Sequence, residues 1–362
     1  MEKRTVLVAM SGGVDSSVAA ALLVEQGHRV IGATMKTFCY SEEAGGNGPS
    51  KTCCGLDGIL DARRVCDRLG IPHYVFDVEK EFTRDVIDDF VQEYAAGRTP
   101  NPCVRCNGNT KFRDLLRRGA MLGCDAIATG HYARMGTDAQ GRPVLLRGVD
   151  AAKDQSYFLW ALPPELLPQL RFPLGELTKP QVRAKARALG LSTAEKPESM
   201  EICFVPTGDY VDVLEQRLGS GHAALSPGPL VTTDGTAIGE HAGYARYTVG
   251  QRKGLGGGRS LPLYVLGTRP QAREVVVGTL EELHRREVEV GELNWLGPLP
   301  GAGERVQVQL RHRAPAVSAR VARVEAGAVA LELERPQRAV TPGQSAVLFR
   351  GEVVLGGGRI AA

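Results

Sequence analysis

The stretch "TPNPCVRCN" (99–107) places Cys103 and Cys106 three positions apart, directly after a Pro-Asn-Pro turn. A cysteine pair with this spacing can hold a metal, form a redox disulfide, supply a nucleophile, or serve only as two small residues in a loop. A further isolated cysteine, Cys203, follows in "ESMEICFVP" (198–206). The chemistry of these thiols therefore depends on the other groups that the fold brings to them.

The amino-acid composition indicates the kind of protein and the cellular compartment in which these thiols lie. The chain has 362 residues, 43% of them hydrophobic and 23% charged, which is typical of a soluble globular protein with two or three domains. No apolar run reaches the roughly 20 residues that span a bilayer, and the first apolar segment is too short for a signal peptide. We expect a cytoplasmic protein without a membrane partner, in which the eight cysteines are catalytic, metal-binding or inert thiols.

The distribution of charged residues along the chain is more informative than the net charge. The formal net charge of +3 is too small to indicate nucleic acid. The cysteine pair, however, lies in a stretch from Arg98 to Arg118 that carries six basic residues and one acid, Asp114. We expect Arg105 and Lys111 to increase the thiolate fraction of the nearby cysteines.

A second candidate for chemistry is "MSGGVDSS" (10–17), between an apolar strand and a helix. It lacks the Gly-Lys-Ser/Thr end of a Walker loop. Its glycines let the backbone approach an anion, and its serines and the helix N-terminus supply donors, which favours a pyrophosphate over a plain capping turn. Asp15 could hold the Mg²⁺ that accompanies a triphosphate. The turn resembles the PP-loop of ATP pyrophosphatases, which adenylylate an oxygen before a nucleophile displaces AMP.

Alternating elements position these groups. The first 130 residues predict a doubly wound, mostly parallel α/β sheet, whose ligands bind beyond the carboxyl ends of the strands. The predicted strands are 5–10, 29–35, 73–78 and 125–130, and the predicted helices are 16–27, 61–70, 81–97 and 111–123. The glycine turn, Met35 and "TGHY" (129–132) fall at that edge, and the loop with the cysteine pair joins them if it folds back.

Beyond the first 130 residues, the sequence pattern changes. A helix at 177–190, capped by Thr178, has basic residues that either contact phosphates or form a solvated face: Lys179, Arg183 and Arg187. After about residue 205, short alternating runs predict two small all-β domains, the last barrel-like. We divide the chain into 1–204, 205–282 and 283–362.

We interpret the remaining cysteines as surface thiols or core residues without a role in the chemistry. A glycine-rich loop is predicted at 36–55, and its Cys39, Cys53 and Cys54 are interpreted as surface thiols. Cys66 and Cys124 are interpreted as small core residues.

Several stretches along nearly the full length resemble the bacterial tRNA-specific 2-thiouridylases: "AMSGGVDSSVAA", "NPCVRCN", "ATGHYAR", "KDQSYFL", "ESMEICF", "YTVGQRKGLG" and "TPGQSAV". This resemblance implies a PP-loop domain followed by two β domains. It implies ATP-dependent thiolation at C2 of the wobble uridine (position 34), giving 2-thiouridine, AMP and diphosphate. The implied partners are tRNAs for Lys, Glu and Gln, and a sulfur-carrier protein or cysteine desulfurase.

The resemblance also implies site residues. Cys106 corresponds to the nucleophile, and Cys203 to the persulfide carrier that forms a transient disulfide with it. The implied ATP-binding residues are Ala9, Met10, Ser11, Gly12, Gly13, Val14, Asp15, Ser16, Met35 and Gly130. The implied base-binding and tRNA-binding residues are Asn101, Pro102, Cys103, His131, Lys153, Asp154, Gln155, Arg311, His312 and Gln344.

Cys103 leaves an alternative open. Some family members carry Asp at this position, with an acid–base role that a thiol cannot simply replace. Cys103, Cys106 and Cys203 could instead hold an iron–sulfur cluster with one open iron, whereas a structural zinc site would need a fourth ligand. Two rival functions are a PP-loop ligase or amidotransferase acting on a small molecule, and a non-catalytic RNA-binding protein that uses ATP to change shape.

Overall fold

The computed structural model describes residues 3–37, 56–198, 202–205, 208–256 and 261–361. Cys39, Cys53 and Cys54 lie outside the described residues, as does nearly all of the loop predicted at 36–55. No helix in the described part of the chain is long and apolar enough to cross a membrane.

Helices and strands alternate in the first half, and strands dominate the second. The helices are α1 (Val14–Glu25), α2 (Leu56–Leu69), α3 (Glu79–Phe82), α4 (Asp88–Ala95), α5 (Pro102–Arg105), α6 (Phe112–Met121), α7 (Lys179–Ala188) and α8 (Tyr210–Leu218). The strands are β1 (Thr5–Ala9), β2 (Arg29–Lys36), β3 (His73–Asp77), β4 (Ala126–Ala128), β5 (Ala133–Thr137), β6 (Pro143–Arg147), β7 (Leu170–Arg171), β8 (Gly228–Val231), β9 (Ala237–His241), β10 (Tyr264–Arg269), β11 (Glu274–Gly278), β12 (His284–Trp295), β13 (Arg305–Gln309), β14 (Val317–Glu325), β15 (Ala328–Arg338), β16 (Ser345–Arg350) and β17 (Val353–Ile360).

The N-terminal unit is built on a parallel five-stranded sheet in the order β3-β2-β1-β4-β7. The apolar β1 lies between β2 and β4, with Val6 beside both Val30 and Ala126. Because side chains alternate along a strand, Leu7 enters the hydrophobic cluster on one face, and Val6 and Val8 enter the cluster on the other. The predicted doubly wound sheet is confirmed.

The cysteine pair lies in a helix, so the predicted loop is wrong. Pro102 occupies the first turn of α5, and a π-helical turn (Cys106–Lys111) continues into α6. A similar π-helical turn (Thr83–Ile87) joins α3 to α4. Proline suits the first turn because that position needs no amide donor. The pattern "NPCVRCNGNT" conceals the helix because asparagine and glycine favour turns.

The two C-terminal units are small and rich in strands, as predicted. The central unit has a four-stranded sheet in the order β10-β11-β8-β9, together with α8, which was not predicted. The last unit is a closed barrel in the order β12-β15-β14-β13-β16-β17, since β12 also pairs with β17. The hairpin β5–β6 of the N-terminal unit extends this sheet through Leu146, which pairs with Val353. The barrel is thus continuous with the N-terminal unit.

Candidate active site

The glycine turn connects β1 to α1 and packs tightly on its neighbours. Gly12 adopts a left-handed backbone with φ of +70°, and a Cβ there would overlap the backbone of Gly58 in α2. A Cβ on Gly130 would lie 2.7 Å from the backbone nitrogen of Ser16. Glycine at these two positions therefore lets α2 and the end of β4 approach the N-terminus of α1, where backbone amides can bind an anion.

Side chains of the turn are fixed by local hydrogen bonds. The Ser16 hydroxyl accepts from the backbone nitrogen of Ser11 at 3.2 Å and donates to the Gly13 carbonyl at 3.1 Å. The Met10 carbonyl accepts from the hydroxyl of Thr34 at 2.9 Å, which ties the turn to β2. Met35, predicted to contact adenosine, is almost fully buried near the end of β2. The turn and Met35 are consequently at the carboxyl edge of the sheet.

Asp15 is the centre of an ion-pair network. The Lys179 amino group lies 2.7 Å from both of its carboxylate oxygens, and the Tyr132 hydroxyl donates to it at 2.8 Å. Burial and the Asp15 charge raise the pKa of Tyr132, so its hydroxyl stays protonated and donates. Lys179 also contacts Glu198 at 3.0 Å, and Glu198 pairs with Lys153 at 2.8 Å.

This network determines how the acids titrate and how a metal would fit. Hydrogen bonding to Lys153 and Lys179 lowers the pKa of Glu198 to about 2, so it is ionised at neutral pH. Asp15, predicted near Mg²⁺, already has both oxygens occupied by the ammonium of Lys179. Lys179 therefore supplies positive charge beside the turn, and a Mg²⁺ bound at Asp15 would share this carboxylate with the lysine.

The two predicted reactive cysteines adjoin one hydrophobic cluster. Cys106 and Cys203 both pack against a buried core that includes Phe82 and Phe90. Phe204, the residue after Cys203, has its ring 5.9 Å from the ring of Phe82 and 5.1 Å from that of Phe90, both edge-on. Both cysteines are half-buried thiols. Cysteines that are far apart in the sequence thus pack against the same hydrophobic cluster.

Cys103 differs from these two cysteines because its side chain is exposed. Among the residues that the structure describes, no group of three or more His, Cys, Asp or Glu side chains is arranged to hold a metal. The donor set of Cys103, Cys106 and Cys203 therefore does not fit a cluster in this arrangement. Cys66 is buried, which confirms its interpretation as a core residue, and burial raises its pKa to about 12.

Several residues predicted to contact tRNA have internal partners. The Asp154 carboxylate accepts from the backbone of Gly148 and Ser156 and from Arg147. The Gln155 side-chain oxygen accepts from the backbone nitrogen of Tyr132 at 3.0 Å. These two side chains organise the loop after β6, and Lys153 reaches Glu198 as described above.

His131 follows the carboxyl end of β4. The His131 imidazole is 2.7 Å from the hydroxyl of Thr129 and stacks 6.0 Å from the ring of Phe112. Burial, and then the charge of Lys111, lower the pKa of His131 well below its usual value, so it is neutral at pH 7. Pro102 is buried, and Asn101 immediately precedes α5.

The predicted contacts of the barrel divide into two groups. The His312 ring lies 4.3 Å from the ring of Phe158 in a tilted contact, and the adjacent Arg311 donates to the carbonyl of Arg338. Gln344 donates to the carbonyls of Thr99 and Pro100 at 3.1 and 3.0 Å. Gln344 therefore attaches the barrel to the segment that leads to the cysteine pair.

The two basic segments are largely paired. In the first, Arg98 pairs with Glu93, Arg105 with Asp89 and Glu292, and Arg117 with Asp114. In α7, which Thr178 caps as predicted, Arg183 donates to the carbonyls of Ala194 and Lys196, and Arg187 pairs with Glu195. In both segments, the basic side chains named here are therefore compensated by carboxylates or backbone carbonyls.

Two members of the site, Lys179 and Glu198, have no clear signal in the sequence. Lys179 was interpreted only as a base on a solvated or phosphate-binding helix, yet it is buried against Asp15. Glu198 opens the "ESMEICF" motif, and only its position in that motif could have indicated a role. Ion pairs between distant segments leave no periodic signal in the sequence.

Comparisons with known proteins agree with this architecture. Family models match residues 4–207 (tRNA methyl transferase HUP domain), 212–279 (tRNA methyl transferase PRC-barrel domain) and 285–360 (Aminomethyltransferase beta-barrel domain). The chain is 51% identical to a tRNA-specific 2-thiouridylase of Rhodospirillum centenum, over 98% of this chain and 91% of that protein. It belongs to the tRNA-specific 2-thiouridylase family.

A second family member and a solved structure are also similar to this chain. A tRNA-specific 2-thiouridylase of Geobacter metallireducens is 48% identical, over 99% of this chain and 97% of its own length. A 4-thiouridine synthetase in complex with RNA and ATP aligns with a TM-score of 0.35 and 17% identity, over 60% of this chain and 51% of that one. The family assignment confirms the resemblance found in the sequence and identifies a sulfurtransferase that modifies tRNA.

Proposed function

We propose that this chain replaces O2 of the wobble uridine of tRNA with sulfur in an ATP-dependent reaction. The products are 2-thiouridine, AMP and diphosphate. The observation that carries the proposal is the packing of Cys106 and Cys203 against one buried cluster, although they lie in distant parts of the chain. A small-molecule ligase would have no use for two thiols placed in this way.

The first step is the activation of the base. The uridine leaves its stack, because C2 cannot be reached inside one. Its O2 attacks the α-phosphate of ATP, forming an O–P bond, and diphosphate leaves. Residues 9–16 and Gly130 receive the phosphates through the glycine turn and the N-terminus of α1, and Met35 contacts the adenosine.

The second step transfers sulfur. A persulfide on Cys203 attacks C2, and AMP leaves with the former O2. The Cys106 thiolate then attacks the sulfur of Cys203, so that the terminal sulfur stays on the base with the electron pair of the broken S–S bond. The resulting Cys106–Cys203 disulfide needs an external dithiol to reduce it. Both thiols are half-buried, so each is still accessible to a reacting partner.

The partners follow from this chemistry. The substrates are tRNAs with a wobble uridine, of the Lys, Glu and Gln types, and the sulfur comes from a persulfide donor such as a carrier protein or a cysteine desulfurase. We expect Asn101, Pro102, Cys103 and His131 to contact the base. We expect His312, whose ring contacts that of Phe158, to contact the RNA.

Single substitutions of the two cysteines test the proposal. We expect Cys106→Ser and Cys203→Ser each to abolish 2-thiouridine formation, while diphosphate release on mixing with tRNA and ATP persists. Thiolation is measured by mass spectrometry of tRNA nucleosides. Cys66→Ser is the matched control, because that buried thiol belongs to a different cluster.

Two outcomes would contradict the proposal. Full thiolation by either active-site variant would remove its thiol from the reaction. Iron bound to anaerobically prepared protein, and lost in the Cys103→Ser variant, would replace the persulfide route with a cluster route.

A further inference from the structure

Arg105, the residue before the proposed nucleophile, is held by carboxylates from two structural units. Its guanidinium lies 3.2 Å from Asp89 of α4 and 2.5 Å from Glu292 of the barrel strand β12. The Arg105 side chain is only 25% exposed. The turn that carries Cys106 is therefore attached to the barrel through a charge-assisted hydrogen bond, which is stronger than a neutral one.

A second barrel residue completes this contact. Arg359 of β17 lies 2.9 Å from Asp89, 2.7 Å from Glu93 and 3.5 Å from Glu292, and its side chain is 12% exposed. Arg98 pairs with the same Glu93. With three acids and three arginines, the network is electrically balanced. Removing the Glu292 carboxylate, which is 52% exposed, would leave Arg105 paired with Asp89 alone.

Glu292, the barrel partner of Arg105, has a strained backbone. Glu292 has φ of +48°, a left-handed conformation that residues with a Cβ rarely adopt. It lies in a β-bulge between Gly291, which pairs with Arg359, and Asn294, which pairs with Gly357. Bulges redirect a side chain out of the regular alternation of a strand. Strained residues of this kind concentrate at functional positions because the surrounding structure has to impose them.

The bulge also adjoins the N-terminal unit. The Asn294 side chain donates to the carbonyls of Trp160 and Leu162 at 2.6 and 2.8 Å. Gln344 and the backbone of Pro342 contact Thr99 on the other side of the same interface. The barrel thus touches the segment with the cysteine pair both before it and at Arg105.

We propose that Arg105 and Glu292 are positioning residues for sulfur transfer: the barrel carboxylate orients the turn that carries Cys106, so that the C-terminal barrel forms part of the active-site scaffold. The inference rests on the proposed function, because it concerns the step in which Cys106 attacks the sulfur of Cys203. We expect the contact between Arg105 and Glu292 to leave the adenylation step unaffected, because the glycine turn lies on a different element.

Glu292→Gly is the most informative variant. Glycine adopts the left-handed backbone without steric cost, so the bulge is retained while the carboxylate is lost. We expect kcat for thiolation to fall about tenfold or more, as when a reacting group is misplaced by a fraction of an ångström to an ångström. We expect KM for ATP and the diphosphate burst measured without a sulfur donor to stay unchanged.

Two further variants separate positioning from simple stability. Arg105→Met should lower kcat to a similar degree, and Arg105→Lys should restore most of it. In the double variant, Arg105→Met with Glu292→Gly, the losses should be far from additive, since the two residues act through one contact. Glu289→Ala is the matched control, because Glu289 lies on the same strand in an exposed pair with Arg323 at 3.1 Å.

The inference is overturned if Glu292→Gly thiolates tRNA at the rate of the unaltered protein. A parallel fall in the adenylation burst would also overturn it, since the defect would then not be specific to sulfur transfer. Thiolation by the unaltered protein is measured in the same series. If that control thiolates tRNA, a negative result counts against the inference alone and leaves the proposed function intact.

Discussion

Replacing Lys179 with methionine should destabilise the N-terminal unit through Asp15 and Glu198. The lysine side chain is 9% exposed and lies within 3.0 Å of both acids, which are 32% and 31% exposed. Breaking a fully buried pair costs about 3–5 kcal/mol. Since a third of each acid faces solvent, screening reduces the expected loss to about 2 kcal/mol. For a unit of this size, such a loss lowers Tm by roughly 4–8 °C.

Thermal unfolding followed by calorimetry or circular dichroism measures this effect. The matched control is Lys185→Met in the same helix, because Lys185 makes an exposed pair with Glu25 at 2.8 Å. The control should change stability by no more than about 0.5 kcal/mol. If Lys179→Met unfolds at the temperature of the Lys185→Met control, the buried network does not stabilise the fold and the reasoning is wrong.

The same network predicts a dependence on pH. The pKa of Glu198 is lowered from its ordinary value of 4.5 to about 2, first by the hydrogen bond from Lys153. A carboxyl with a depressed pKa stabilises the fold fully above its unfolded value, and this contribution disappears as pH falls through the folded value. The stability difference between the unaltered protein and Lys179→Met should therefore be largest near neutrality and shrink between about pH 4.5 and pH 2.

Two further substitutions test the packing of the site. Gly130→Ala places a Cβ 2.7 Å from backbone atoms of Asp15, so we expect a loss of about 1–3 kcal/mol and a higher KM for ATP in diphosphate release. An unchanged KM would show that the turn can move aside. Asn294→Ala removes the donors to the Trp160 and Leu162 carbonyls and should cost about 1–3 kcal/mol in thermal unfolding. Unfolding at the original temperature would indicate that water replaces the amide.

The parallel sheet could be predicted because its strands carry a strong local signal. "TVLVAM" is continuously apolar, as expected for a strand buried on both faces, and Val6 and Leu7 do enter opposite clusters. The glycine turn was predictable for a similar reason. Its glycines reflect a close backbone approach, which the structure shows at Gly12 and Gly130.

The environment of the cysteines could not be predicted in the same way. The sequence placed Cys106 in a loop because asparagine and glycine follow it, whereas tertiary packing of Asn107 and Gly108 keeps this stretch helical through a π turn. Arg105 is expected from the sequence to raise the thiolate fraction of the nearby cysteines, but its guanidinium is paired with carboxylates of α4 and of the distant strand β12. Partners of this kind are fixed by the arrangement of the units, which no local pattern encodes.

This arrangement also affects how the predicted RNA contacts can be tested. The Asp154 carboxylate and the Gln344 amide are hydrogen-bonded within the protein, so replacing either one alters the structure as well as any contact with tRNA. A direct contact would raise KM for tRNA at constant Tm, whereas a structural role would lower Tm and kcat together. His312 is the better probe of RNA binding, because its ring makes only a tilted contact with Phe158 and replacing it leaves the backbone hydrogen bonds of the barrel in place.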